Sequence, residues 1–309
     1  MLKLIQNEWM KLWHKKATWI MAILLVVAII GLSGLTKLSE RFTDTTWIEE
    51  MEADVVQMDE QLASPDLTDD ERAEIEAEKQ GLVETIVMNE EWSQPGSRER
   101  TIVDAYGTMS LVTLFTIIAS AGILASEFSQ GTIKMLLSRP VKRWKILTSK
   151  YLTILLFGLL LTVLVYVFTI ISAFIFFPSA EGNSIIWSGS DLALSAIWGK
   201  SAYMMFLSLI NVFMISTFAF MVGSVFRSTS LAVGLSIFLF FSGTMIVLFL
   251  ERFEIAKYIF FAHDLTQYEL GFKMLDSNTM GFSVVVVSVY AILFLAISYL
   301  TFNKRDVTA

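Results

Sequence analysis

The 309-residue chain has no cysteine and only two histidines, His14 and His263. The first absence excludes disulfides, thiolate metal sites and cysteine nucleophiles. The two histidines are far apart in sequence, and a lone histidine reads as a satisfied polar residue rather than a ligand or a base. Charge is also scarce. Only 17% of the residues are charged, whereas soluble chains carry about a quarter. No Gly-x-Ser-x-Gly elbow occurs, and the acidic residues lack the spacing of a calcium loop. These gaps leave no catalytic centre, metal site or bound cofactor to assign, so the chain reads as not an enzyme by itself.

Apolar sequence takes up the room instead. Hydrophobic residues make up 55% of the chain, and they collect in runs of about 20, the length that crosses a hydrocarbon core about 30 Å thick. Few ionisable residues interrupt these runs. Carboxylate relays through the bilayer mark many proton-coupled carriers, so their scarcity argues against an ion-coupled mechanism. The expected fold class is an all-α polytopic membrane protein with six transmembrane helices. The spans are expected at 17–37, 105–125, 151–177, 203–225, 231–250 and 281–302.

Residues 1–16 are expected to form an amphipathic helix in the membrane interface. Leu2, Ile5, Trp9, Leu12 and Trp13 recur at helical spacing, with Lys3, Asn7, Lys11 and Lys15 on other faces. No small-x-small cleavage site follows the first apolar run, which therefore reads as a retained anchor rather than a signal peptide. The polar insert at 38–104 holds 20 Asp/Glu against 5 Lys/Arg, a net of −15 in a chain of −7, so the remainder carries +8. Within it, residues from Leu67 onward read as helix capped by Asp66 or Thr68. Leu62, Ile75, Leu82 and Ile86 offer a thin apolar seam for a helical hairpin turning at Ser64-Pro65-Asp66.

The other connections are expected at 126–150, 178–202, 226–230 and 251–280, with a tail at 303–309. Residues 192–200 read as an interfacial helix, and the 251–280 loop as a semi-buried return toward the membrane. Basic residues near span ends set orientation. An N-terminus inside the cell places 13 of the 23 Lys/Arg on inner segments and the acidic insert outside. Both termini are then cytoplasmic, in a multi-pass protein of the bacterial cell membrane. Small residues close the second span, where Ala121/Ala125 and Gly122/Ser126 have the four-residue spacing that lets helices approach in lipid.

One motif misleads. Trp198-Gly199-Lys200-Ser201 looks like the end of a phosphate-binding loop, but Leu194 stands where the first glycine belongs. The basic stretch after the second span is more informative. Glu127 follows the span directly, Gly131 interrupts the helix, residues 132–137 can restart as a short helix, and Arg139-Pro140 ends it.

Glu127-Phe128, Gly131-Thr132-Ile133-Lys134 and Leu137-Ser138-Arg139-Pro140-Val141 resemble the cytoplasmic loop of ABC-2-type transporter permeases. The resemblance extends over nearly the whole chain, from the interfacial helix to the semi-buried hairpin before the last span. The acidic insert is longer than the first outer loop of many members. The resemblance implies a complex of two permease protomers, identical or homologous, with two copies of a separate ABC ATPase subunit. ATP and Mg are then bound by the ATPase. It also implies that Glu127, Gly131, Thr132, Lys134, Arg139 and Pro140 form the coupling element that receives the ATPase's motion. Membrane lipid is the surrounding partner, and nucleic acid is not expected. The implied activity is ATP-driven export of an amphipathic, peptide or lipid-like substrate. The alternative is a non-transporting subunit that transmits the ATPase's work, or a sensor coupled to it.

Overall fold

The computed structural model describes residues 1–40, 42, 46–62, 72, 75–83, 85–86, 96–132, 141–226 and 228–304. Helix dominates. α1 is Leu2–His14, α2 Lys16–Ser39, α3 Thr46–Leu62, α4 Arg98–Val103 and α5 Met109–Ser129. α6 is Arg143–Phe176, α7 Ile197–Val225, α8 Thr229–Leu250 and α9 Met280–Lys304. Six helical segments are long and apolar enough to cross a bilayer. They are α2, the run Arg98–Ser129 through α4 and α5, α6, the run Leu194–Val225 ending in α7, α8, and Met280–Asn303 within α9. Many large apolar side chains of α2 and α8 point outward, Ile23, Leu24, Val27, Phe238, Phe241 and Phe249 among them. A hydrocarbon solvent accounts for faces that water would penalise.

The bundle is held by close helix approach. α5 and α7 pack together most extensively. Ala121 and Ala125 are fully buried there, and a Cβ added at Gly223 would lie 2.4 Å from the Ala121 carbonyl oxygen. Only small residues permit that contact. Beside it, the Ser120 hydroxyl donates to the Ser216 carbonyl at 2.6 Å. Four apolar clusters occur among the described residues, two of them large. One joins α1, α2, α5 and α6 around Leu25, Leu124, Ile154 and Phe157. The other joins α5, α7, α8 and α9 around Ile117, Phe218, Ala232 and Phe294.

Several segments differ from the sequence-based expectation. The helix expected at 192–200 begins instead as a strand. β1 (Ser184–Trp187) pairs antiparallel with β2 (Ser190–Ala193), with Trp187 opposite Ser190. Ser188 and Gly189 form the two-residue loop with φ of 51° and 70°. Both values are positive, as a loop matching the strand twist requires. α6 starts at Arg143, eight residues before the expected span, and its 34 residues measure about 51 Å. That exceeds the thickness of a hydrocarbon core, so the helix extends beyond it. α1 keeps its expected place as a helix and packs on α6: Leu12 is buried, and the Trp13 ring meets Phe157 edge-on at 6.3 Å.

In the insert, α3 and the helical residues 75–83 are tied by an ion pair between Lys79 and Asp59. The expected turn at Ser64–Asp66, the caps Asp66 and Thr68, and the helix start at Leu67 lie outside the described residues. The segment before α9 folds back into the bundle through three short 3-10 turns, Glu254–Tyr258, Phe260–Ala262 and Leu265–Tyr268. Gly243 makes room for it, since a Cβ there would meet the Phe261 ring at 2.4 Å. His263 is buried within this return. Its Nε2 donates to the Lys257 carbonyl at 3.0 Å, which leaves Nδ1 to accept from the Ser283 hydroxyl at 2.7 Å.

Candidate functional site

Charge is concentrated where α1, the end of α5 and the start of α6 meet. Lys150 on α6 is fully buried. Its ammonium donates to Glu8 Oε2 at 2.7 Å and to Glu127 Oε1 at 2.6 Å. Lys11 completes the group, donating to Glu8 Oε1 at 3.1 Å and lying 3.6 Å from Glu127 Oε1. Three separate elements thus share one buried ion cluster. Burial opposes the charge on Glu8, but Lys150 and Lys11 outweigh it and hold the carboxyl below its ordinary range. Lys15, at the joint between α1 and α2, is pushed down by burial and by the Lys150 charge.

Local sequence explains the placement. Lys15 has an extended backbone and breaks α1 from α2. The break is stapled by two bonds, Thr18 Oγ1 to the Leu12 carbonyl at 2.6 Å and Trp19 Nε1 to the Trp13 carbonyl at 3.0 Å. Trp13 also stacks edge-on against Trp19 at 5.0 Å. With α1 fixed in this way, its Glu8 face turns toward Lys150. α5 ends at Ser129, and Gly131 follows with φ of 70°, the left-handed conformation that terminates helices.

Of the residues the resemblance assigns to coupling, three can be located. Glu127 sits in the ion cluster with Oε2 buried and without a hydrogen-bond partner among the described residues. Gly131 provides the helix stop, and Thr132 Oγ1 approaches the Glu127 carbonyl at 3.4 Å. Lys134, Arg139 and Pro140 lie outside the described residues. A cleft of about 630 Å³ opens beside the cluster, with Asn7, Lys11 and Lys15 on one wall and Ser126, Glu127 and Thr132 on the other.

Sequence reasoning missed Glu8 and Lys150. Lys150 counts only as one of several topology-setting cations, and Glu8 is assigned no role. The available signal was slight: each charge has an aromatic neighbour on one side, Glu8 next to Trp9 and Lys150 next to Tyr151. The Gly-Lys-Ser tripeptide has its side chains engaged elsewhere: Lys200 pairs with Glu269 and lies over Trp187, and Ser201 bonds Tyr166 at 2.8 Å. Among the described residues, no group of three His, Asp or Glu side chains is arranged to hold a metal.

Residues 84–308 match the model of a protein family described as "Protein of unknown function (DUF2705)". The chain belongs to this family. Among its relatives is the "Uncharacterized protein YhcI" of Bacillus subtilis (strain 168), 36% identical over 322 residues, covering 99% of each chain. The "Uncharacterized membrane protein YdbK" of the same strain is 30% identical over 203 residues, covering 64% of this chain and 78% of the relative. Together with the six apolar helical segments, these matches make this family member a multi-pass membrane protein.

Proposed function

We propose that the chain is the membrane-spanning subunit of an ABC-2-type transporter, driven by a separate ABC ATPase and exporting an amphipathic, peptide or lipid-like substrate. The observation that carries this reading is the buried cluster of Glu8, Lys11, Glu127 and Lys150 at the two feet of the α5–α6 loop. A loop that receives thrust must pass it to the spans, and a buried ion pair resists partial displacement because separating it leaves an uncompensated charge. Motion of the loop therefore carries α1, α5 and α6 with it. Glu127, Gly131, Thr132, Lys134, Arg139 and Pro140 form the coupling element in this reading. Two protomers and two ATPase subunits make the complex, with ATP and Mg on the ATPase. The basic residues gathered at this end of the bundle support a cytoplasmic location for the loop and both termini.

The decisive experiment is purification of the chain from its host and a test for a co-purifying ABC ATPase. A complex whose substrate-stimulated ATP hydrolysis is lost on combining Gly131→Val with Arg139→Ala supports the reading; full stimulation in that variant overturns it. Orientation has a clean test because the chain has no native cysteine. Ser138→Cys should resist a membrane-impermeant maleimide applied outside intact cells.

A second reading, transmission of the ATPase's work without cargo, draws on the acidic insert, whose helical parts are joined by the Lys79–Asp59 pair. ATP-dependent flux in reconstituted vesicles separates the two. Coupled hydrolysis without flux favours transmission.

A further inference from the structure

The bundle end away from the ion cluster holds a second cavity, of about 500 Å³, between α2, the α4–α5 junction and the last turns of α6. That volume is ordinary for a small-molecule site. Its polar wall is unusual in composition. Thr36, Thr101 and Thr108 each donate their hydroxyl proton to a helix carbonyl, at 3.0, 2.9 and 2.9 Å, so each offers the cavity only lone pairs. Two carboxylates stand beside them and are held in place. Glu40 accepts from the Gly96 amide at 3.0 Å and from Lys37 at 2.6 Å. Asp104 accepts from Trp187 Nε1 at 2.8 Å and faces Arg100 at 3.7 Å. Thr169 also lines the cavity, 5% exposed, and its Oγ1 has no partner among the described residues.

A buried hydroxyl without a partner is costly unless something satisfies it. The wall around it is rich in acceptors, and the Arg100 guanidinium that also lines it faces Asp104. Ile29 and Leu32 supply an apolar side, and Leu32 is half exposed on the outer face of α2. A donor-bearing head with an alkyl chain matches both halves.

We propose that this cavity binds an amphiphile whose head group donates hydrogen bonds, through hydroxyls or an ammonium. As a statement about cargo, this rests on the export reading above; as a binding site, it stands without it.

The test uses the full chain in lipid nanodiscs and three photoreactive probes with one octyl chain: an octyl glucoside, an octylammonium and an octyl sulfate. Saturable labelling of α2, α4 or α6 by the glucoside or the ammonium, with the sulfate at background, supports the site. The stronger of the two identifies the head as hydroxyl or ammonium. Thr36→Val with Thr169→Val should lower saturable labelling at least about fivefold, the worth of a hydrogen bond, with unchanged thermal unfolding. Should that pair unfold the protein, Leu32→Trp, which crowds the apolar side, gives the same readout. Equal labelling by all three probes, or labelling unchanged in a folded variant, overturns the proposal. Binding without ATP-dependent flux of the same probe leaves the site standing and removes the export reading.

Discussion

The two ends of the bundle solve the problem of buried polarity in different ways. At one, Glu8, Lys11, Glu127 and Lys150 from three elements are gathered onto a single point, and Lys150 has no access to solvent. At the other, Glu40, Gly96, Arg100, Asp104 and Trp187 are joined by separate bonds, each between two partners. A cluster built on one buried cation fails as a unit, because both carboxylates depend on Lys150. Pairwise bonds fail one at a time. The first design suits transmission of force; the second suits a site that adapts to what it holds.

The sharpest way to break this contrast is Lys150→Met, which leaves Glu8 and Glu127 with only the half-exposed Lys11 as a cation. A loss of about 3–5 kcal/mol is expected, read as a lowered midpoint of thermal unfolding in nanodiscs. Replacing the three members other than Lys11, with Glu8→Gln, Glu127→Gln and Lys150→Met together, should recover most of it. A single substitution no worse than the triple one would show that the cluster does not act as a unit.

At the opposite end, Gly96→Ala places a Cβ 2.1 Å from Glu40 Oε1 and 2.8 Å from the Phe177 ring. Displacing that link should cost about 1–3 kcal/mol, less than Lys150→Met, with the α1 end undisturbed. Hydrogen exchange of α1 would detect spread between the ends.

Acid provides a third comparison. The Glu8 carboxyl titrates below its unfolded value of 4.5. Its contribution is therefore fully present above that pH and is lost as pH falls through the folded value. Wild type should show a steeper loss of thermal stability below pH 4.5 than Glu8→Gln. Parallel curves would place the acid sensitivity elsewhere.

The smallest effect is expected for Trp187→Phe, which keeps the ring and removes the bond to Asp104. About 1 kcal/mol is at stake, and the double change with Asp104→Asn should be nearly additive with any alteration at Lys150.

The contrast between ends also marks what could be read from the chain directly. Six spans were legible because crossing length and apolar content are local properties of a segment. The mixture of aromatic and polar residues in 251–280 suggests a return toward the membrane; in the structure the segment packs against the bundle through Phe260, Phe261 and His263. The hairpin at 184–193 was not, because its strands are only four residues each and too short to show a period. Gly131 was readable as a helix stop, since only glycine takes φ of 70° without strain. Lys150 was not readable as a centre, because charge counting treats all cations near a span end alike.

Composition and run length alone determined that this chain lives in a bilayer as a set of helices, since about 20 apolar residues can satisfy their backbone there only as helix. Which charges meet was decided by tertiary structure. Glu8 and Lys150 are 142 residues apart, and nothing in either neighbourhood names the other. Their pairing exists because the break at Lys15 turns α1 onto α6 and because burial leaves each charge no alternative partner but its opposite.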